Sequence, residues 1–255
     1  MKLVNIAHGD FLVLAAYIAH MIITSTGLDP IVTVVILVPV MAGLGYMLQR
    51  FVLNRVMGGD VLPPLLVTFG LAVIVQNSLL STFSTNAIRL SAGSMETASL
   101  EISGLHVGLL PLATFLVAVA LIAGLELLFA RTRLGRAFRA TSDDPEMASA
   151  IGVKTRHMFA LAMALSFATI AIAGMLLAMR SSFDPFSGPA RLIYGFEAVI
   201  IGGLGSFWGT LAGGVILGVA QSLGAQISPS MQILAGHIVF FIILAVRPRG
   251  LFLKA

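Results

Sequence analysis

Arg131-Thr-Arg-Leu-Gly-Arg-Ala-Phe-Arg-Ala-Thr-Ser-Asp-Asp-Pro-Glu-Met-Ala-Ser-Ala-Ile-Gly-Val-Lys-Thr-Arg-His157 is the one place where the hydrophobicity of this chain fails for long. These 27 residues hold six of the fifteen Lys/Arg and three of the eleven acidic residues. Apolar segments flank them, Leu109 to Ala130 and Met158 to Met179. Each has about 22 residues, enough to cross a hydrocarbon core of roughly 30 Å as a helix. The loop carries a helix signal of its own. Ser142 or Asp143 can cap, Pro145 suits the first turn, Glu146 can return a capping hydrogen bond and Gly152 can end the helix. A two-turn helix on a basic loop between two spans is shaped to be gripped by a soluble partner, as in a transporter.

Composition places the rest of the chain in a membrane. Of the 255 residues, 58% are hydrophobic and 10% charged, whereas soluble domains carry about 25% charge. The length allows about seven or eight spans with short loops and no separate soluble domain. The expected fold is therefore an all-α integral membrane bundle, one transmembrane domain over residues 1–255 with a cytoplasmic loop at 131–157. The net charge of +4 does not point to nucleic acid, because the basic residues sit at the ends of apolar segments, where they set orientation. Absence of cysteine removes disulfides, thiolate chemistry and thiol-based metal sites. Only Lys2 precedes the first apolar run, so a cleaved signal peptide is not expected.

The spans read as Phe11–Thr26, Pro30–Leu48, Leu65–Phe83, Leu109–Ala130, Met158–Met179 and Met231–Val246. Between the last two, Leu192–Ile227 is apolar but rich in glycine. With the Arg131–His157 loop cytoplasmic, the Gln49–Asp60 loop and the tail with Arg247, Arg249 and Lys254 are cytoplasmic too. Counting Lys2, twelve of fifteen basic residues then face inside, leaving Arg89, Arg180 and Arg191 outside. For the tail to end inside, Leu192–Ile227 must enter and return. It is expected to do so as two short or broken helices meeting near Gly202-Gly-Leu-Gly-Ser-Phe-Trp-Gly209. Non-helical backbone at membrane depth is tolerated only when buried in protein or lining a wet cavity, which makes Gly202, Gly203 and Gly205 pathway candidates.

Polar residues inside an apolar chain are the remaining candidates. Asn5, His8 and Asp10 cluster around Gly9 ahead of the first span, either to bind a polar solute or as a helix start capped by Asp10. Gln76 and Asn77 fall within the third span, as interhelical glue or facing a polar lumen. Glu126 is expected to snorkel or pair with the adjacent basic loop. Glu197 can pair with Arg191 or serve a pathway. Gly205, Gly209 and Gly213 fall at intervals of four, as do Gly214 and Gly218, a spacing that favours helix packing. His20 and His237 have no second ligand nearby, so no metal site is expected. There is no catalytic triad pattern and no phosphate-cradling Gly-x-x-x-x-Gly-Lys-Ser/Thr loop. An enzyme is not expected, nor a bound cofactor, and an ATP motor would have to be another polypeptide.

Four stretches together resemble the branched-chain amino-acid ABC transporter permeases: Val4-Asn-Ile-Ala-His-Gly-Asp10, Leu134-Gly-Arg-Ala-Phe-Arg-Ala140, Asp144-Pro-Glu-Met-Ala-Ser-Ala-Ile-Gly152 and Gly202-Gly-Leu-Gly-Ser-Phe-Trp-Gly-Thr-Leu-Ala-Gly-Gly214. The likeness implies that Glu146, Ala148 and Gly152 match the Glu-Ala-Ala…Gly coupling motif, with Met147 standing where the motif has its first Ala. Asp144, Arg136 and Arg139 accompany that helix. It further implies cytoplasmic ATP-binding subunits, a second permease subunit, identical or homologous, a periplasmic solute-binding protein, and lipid around a multi-pass subunit of the bacterial inner membrane. Members carry a further apolar helix ahead of the Asn-x-Ala-His-Gly motif, so the likeness implies a late-assigned start or a shortened copy.

The rival readings are an importer of urea or short amides within the same family, a secondary transporter or channel, a membrane enzyme and a non-transporting scaffold. A secondary transporter predicts acidic or basic residues (Asp, Glu, Lys, Arg) inside the spans for ion coupling, and apart from Glu126 the clear spans carry none.

Overall fold

The computed structural model describes residues 5–57, 62–102 and 104–252. Seven of its helices are long and apolar enough to cross a membrane: α1 (His8–Thr26), α2 (Pro30–Met47, continued through a π-helical Leu48–Leu53 and α3, Asn54–Val56), α4 (Leu62–Phe83), α5 (Leu109–Arg131), α8 (Thr155–Arg180), α10 (Phe207–Ile227) and α11 (Pro229–Val246). Shorter helices are α6 (Arg133–Asp143), α7 (Pro145–Ala150) and α9 (Gly188–Gly202). A small antiparallel hairpin, β1 (Ser99–Ile102) with β2 (Leu105–Gly108), interrupts the loop before α5 and was not expected. The fold is all-α and polytopic. The helices begin up to three residues earlier than the apolar runs do, because the residues flanking a run take up the first helical turn. By packing, the chain divides into two compact units: Met1–Leu116 with Leu127–Pro189, and Val117–Glu126 with Ala190–Ala255.

In the first unit, α8 packs along α1 and α2. Two glycines set the approach. A Cβ on Gly45 would lie 2.8 Å from Phe167 Cβ and 2.9 Å from Met163 O, and one on Gly174 would lie 2.6 Å from Leu12 O. The core there is Tyr17, Leu37, Met41, Phe167, Met175 and Phe183, all fully buried. Segments on one side of this unit are tied by Ile88 bridging Phe183 and by Leu90 N donating to Ala178 O at 2.9 Å. On the other side, Asn54 Nδ2 donates to Arg156 O at 3.1 Å and Tyr46 Oη lies 2.9 Å from His157 Nδ1. Arg89 and Arg180 thus share one end of the unit, and Arg50, Arg55 and the Arg131–His157 loop the other, as the charge count requires.

The start of α1 is displaced from that frame. His8 lies beside Ser166 in the middle of α8, Asp10 beside Gln76 in the second half of α4, and Tyr17 already meets Phe83 and Phe183 at the far ends of both. The three helices run parallel, and α1 begins at mid-depth. The motif expected to precede the first span instead forms its start: His8 and Asp10 lie within α1, level with the middle of α8 and the second half of α4. Lys2 and Lys254, used in the charge count, and Asp60, the end of the Gln49–Asp60 loop, lie outside the described residues.

In the second unit, α10 and α11 are joined through the single residue Ser228 and pack as an antiparallel pair. Segment Leu192–Ile227 does break into two helices, α9 and α10, with Gly203 (φ 98°) and Gly205 (φ 92°) in the turn between them. The turn is not at mid-membrane depth. The tail beyond α11 reaches it, Leu251 N donating to Ile201 O at 2.9 Å and Phe252 N to Gly202 O at 3.1 Å. The break therefore shares the end of the unit that carries Arg247 and Arg249, and α10, with 21 residues, is long enough to cross unaided at about 1.5 Å per residue.

Candidate functional site

Polar groups converge where α1 starts, among α4 and α8. The Asn5 side-chain oxygen accepts from Ala7 N at 3.0 Å, while its amide nitrogen is buried without a hydrogen-bond partner among the described residues. His8 Nε2 lies 2.9 Å from Ser166 Oγ, and its ring meets Phe167 edge-on at 6.0 Å. Phe167 packs in turn on Phe11 at 4.7 Å. Gln76 Nε2 donates to Asp10 Oδ1 at 2.7 Å, and Ile6 N to Thr68 Oγ1 at 3.4 Å. Asp10, 2% exposed, is also crowded by Gly188, where a Cβ would stand 2.8 Å from both the Asp10 amide nitrogen and its carboxyl carbon.

Asp10 does not cap the helix. The position before α1 is Ala7, with no side-chain cap, and Asp10 spends its carboxylate on α4. Buried polar groups are costly at this depth and are retained where they bind something. A carboxylate, an imidazole, two amides and two hydroxyls set among phenylalanines supply both donors and acceptors within apolar walls. Asn77 does not join them: exposed, it donates to Val73 O of its own helix at 2.8 Å. Thr68 and Ser166 were missed, being ordinary hydroxyls in apolar helices that only the packing brings to the cluster.

The glycine turn belongs to the second unit, and there the packing alternative wins. Gly202, Gly209 and Gly213 let α9 and α10 touch backbone to backbone: a Cβ on Gly213 would lie 2.9 Å from Gly202 N, and one on Gly202 2.5 Å from Thr210 N. Gly203 is buried against Gly250, and Gly205 stands exposed. Gly202 and Gly203 are thus covered by protein among the described residues. Gly214 and Gly218 have open space and do not share the packing role. Glu197 meets His237 Nδ1 of α11, and Tyr194 stacks on that imidazole at 6.2 Å. His237 is therefore not isolated, and a pair forty residues apart in sequence leaves no local signal.

The Arg131–His157 loop is more structured than its composition suggests. α6 is a helix within the stretch whose composition reads as basic loop. Thr132 Oγ1 caps it by accepting from Gly135 N at 3.0 Å, and Gly135, Phe138 and Thr141 recur every three residues on its buried face. Phe138 stacks on Phe129 at 5.3 Å, and the Arg139 guanidinium donates to Phe129 O, so Arg139 closes the end of α5. Arg136 stays exposed. Asp144, not Ser142 or Asp143, caps α7, its Oδ1 accepting from Glu146 N at 2.9 Å and Met147 N at 3.0 Å. The stop is a glycine motif: Gly152 takes φ 88°, Val153 N donates to Ala148 O and Gly152 N to Ser149 O, both at 3.0 Å. Ala148 is buried and faces its own subunit, so it is not a contact surface. Met147 and Ile151, 64% and 76% exposed and one turn apart, point outward.

Residues 1–247 match the family described as branched-chain amino acid transport system / permease component. The chain belongs to that family. Among curated relatives, the high-affinity branched-chain amino acid transport system permease protein BraD of Pseudomonas aeruginosa is 29% identical, over 98% of this chain and 85% of its own length. LivH of Escherichia coli, of the same description, is 28% identical over the same shares. A fructose import permease protein, FrcC of Rhizobium meliloti, is 31% identical over 88% of this chain and 63% of its own length. No solved structure matches. As a family member the chain is a multi-pass membrane permease, and the match spans both units together with the Arg131–His157 loop.

Proposed function

We propose that this chain is the membrane-spanning permease subunit of an ATP-driven importer for branched-chain or related amino acids in the bacterial inner membrane. Residues 1–255 act as one permease domain and do no covalent chemistry. Cytoplasmic ATP-binding subunits drive it, a second permease subunit completes the path, and a periplasmic binding protein delivers the solute. The observation that carries the solute class is the mid-depth cluster. A zwitterion with an apolar side chain needs an acceptor for its ammonium, donors for its carboxylate and apolar walls. Asp10, the free Asn5 amide, His8 and the Phe11–Phe167 pair answer to these in turn. Loop α6–α7 transmits closure of the ATPases, with Asp144 and the glycine stop at Gly152 holding α7 rigid as a lever and Met147 and Ile151 as its exposed contact.

A second reading, a polyhydroxy or amide solute, draws on the fructose-importing relative. Both are tested in vesicles holding this chain with the ATPase, second permease and binding proteins of the neighbouring genes. ATP-dependent uptake of labelled leucine is expected, and His8→Ala should reduce it about tenfold or more while leaving insertion intact. Leucine uptake without ATP would sink the ATP-driven reading. Uptake of fructose or urea in its place would move the solute.

A further inference from the structure

A cavity of about 670 Å³ opens at the end of the first unit where the cytoplasmic loop lies. Three segments wall it: Tyr46 and Arg50 from the end of α2 and its π-helical turn, Ser149 and Gly152 from the end of α7, and Lys154–His157 at the start of α8. Among the described residues, no acidic one lines it. Arg50, Lys154 and Arg156 form no ion pair among the described residues.

The walls are fixed independently of any ligand. Tyr46 Oη and His157 Nδ1 are 2.9 Å apart, Asn54 Nδ2 holds Arg156 O at 3.1 Å, and Gly152 supplies the left-handed turn that swings the chain from α7 into the cavity wall. Arg50 sits in a π-helical turn, a local widening of the helix that recurs at functional sites. Orientation by positive charge requires basic residues near span ends but no cavity. Here three cations are gathered around one concavity, where their mutual repulsion is best relieved by a multi-oxygen anion.

Depth names the anion. Tyr46 stands where α2 passes into its π-helical turn and Thr155 opens α8, so the cavity lies at the membrane boundary, the level of phospholipid phosphates and interfacial aromatics. Basic pockets between spans on the cytoplasmic side suit anionic headgroups. We infer that this cavity binds the phosphate of an anionic phospholipid headgroup of the cytoplasmic leaflet. The lipid then braces α7 against α2 and α8. That bracing rests on the coupling role proposed for α7, whereas the binding itself does not.

The test uses the purified full chain in zwitterionic nanodiscs, titrated with phosphatidylglycerol and followed by native mass spectrometry and thermal unfolding. The combined variant Arg50→Gln/Lys154→Gln/Arg156→Gln should lose at least about tenfold in phosphatidylglycerol affinity, since each basic residue near an anionic headgroup adds about 1 kcal/mol. Arg55→Gln/Arg131→Gln/Arg133→Gln removes the same charge outside the cavity and should bind as wild type. All six positions are exposed, and unfolding without added lipid checks that both variants fold. Equal losses in the two variants would reduce the effect to general surface charge and overturn the site. Competition by inorganic phosphate at matching concentration would make the ligand a free anion, and unchanged lipid binding with lost ATPase association would make it an acidic protein surface. Either result overturns the lipid assignment. Binding is read without transport, so failure of leucine uptake in vesicles would leave this result standing, and the reverse.

Discussion

At the scale of single residues, the pairing of Asp10 with Gln76 decides most. A carboxylate 2% exposed at mid-depth keeps its place because an amide from α4 donates to it at 2.7 Å. Gln76→Leu removes that donor while keeping an apolar fit and leaves the carboxylate short of a partner. A cost of about 2 kcal/mol is expected, seen as a lower unfolding midpoint in detergent, because a hydrogen bond to a charged group is worth about 1.5–3 kcal/mol. Asp10→Asn should be milder, since an amide oxygen can still accept from Gln76. If Gln76→Leu unfolds with wild type, the pair carries no stability and α4 is held by apolar contact alone. The sequence showed Asn5, His8, Asp10 and Gln76 as polar exceptions in apolar surroundings. It could not show which of them meet, since the alternation of apolar residues along a helix fixes a face but not a depth. Asn77, next to Gln76 and equal to it in chemistry, turns out to face away, a matter of 100° about the helix axis.

Elements add constraints that single residues hide. α7 was legible from Asp144-Pro145 and Gly152, since a short polar residue, then proline, then glycine at this spacing start and stop a helix. α6 was not, because its arginines dominate the composition while its buried face holds only Gly135, Phe138 and Thr141. Burial also reverses an expectation drawn from the coupling motif. Ala148 is 2% exposed, so Ala148→Trp should overpack α7 at a cost of about 1–3 kcal/mol rather than hold an ATPase at a distance. Ile151→Glu, on the exposed side, should leave the unfolding midpoint unchanged and abolish solute-stimulated ATP hydrolysis in the assembled transporter. Full stimulation by the Ile151→Glu complex would remove α7 from the contact. A parallel case holds in the second unit, where the tail closes the end of α9. A Cβ at Gly250 would stand 2.5 Å from Gly203 N and 2.7 Å from Ile200 O at φ 83°, so Gly250→Val should lower the unfolding midpoint although Gly250 lies in the tail, far in sequence from the turn it covers.

For the whole molecule, charge and contacts group the same segment ends by separate routes. The count of Lys and Arg put the Arg131–His157 loop and the tail inside, with Arg89 and Arg180 outside. The hydrogen bonds then joined Asn54 to Arg156 and Ile88 to Phe183, one tie at each end of the first unit. What charge could not place was the glycine break, since the nearest basic residue to it in sequence is Arg191, eleven positions before Gly202. Contact with the tail places it: Leu251 and Phe252 reach Ile201 and Gly202, so the break faces whichever side Arg247 and Arg249 face. The chain has no cysteine, which makes single introduced cysteines unambiguous reporters. Ser142→Cys, Ser187→Cys and Leu204→Cys are read with an impermeant thiol reagent on intact cells and again after the membrane is opened. Ser187→Cys should react in intact cells. Ser142→Cys and Leu204→Cys should react only once the inner face is exposed, Leu204 being 74% exposed and so accessible when its side is reached. If Leu204→Cys reacts from outside together with Ser187→Cys, the tail and the break lie on the periplasmic side. α11 would then end outside, and the inside placement of Arg247 and Arg249 would fail with it.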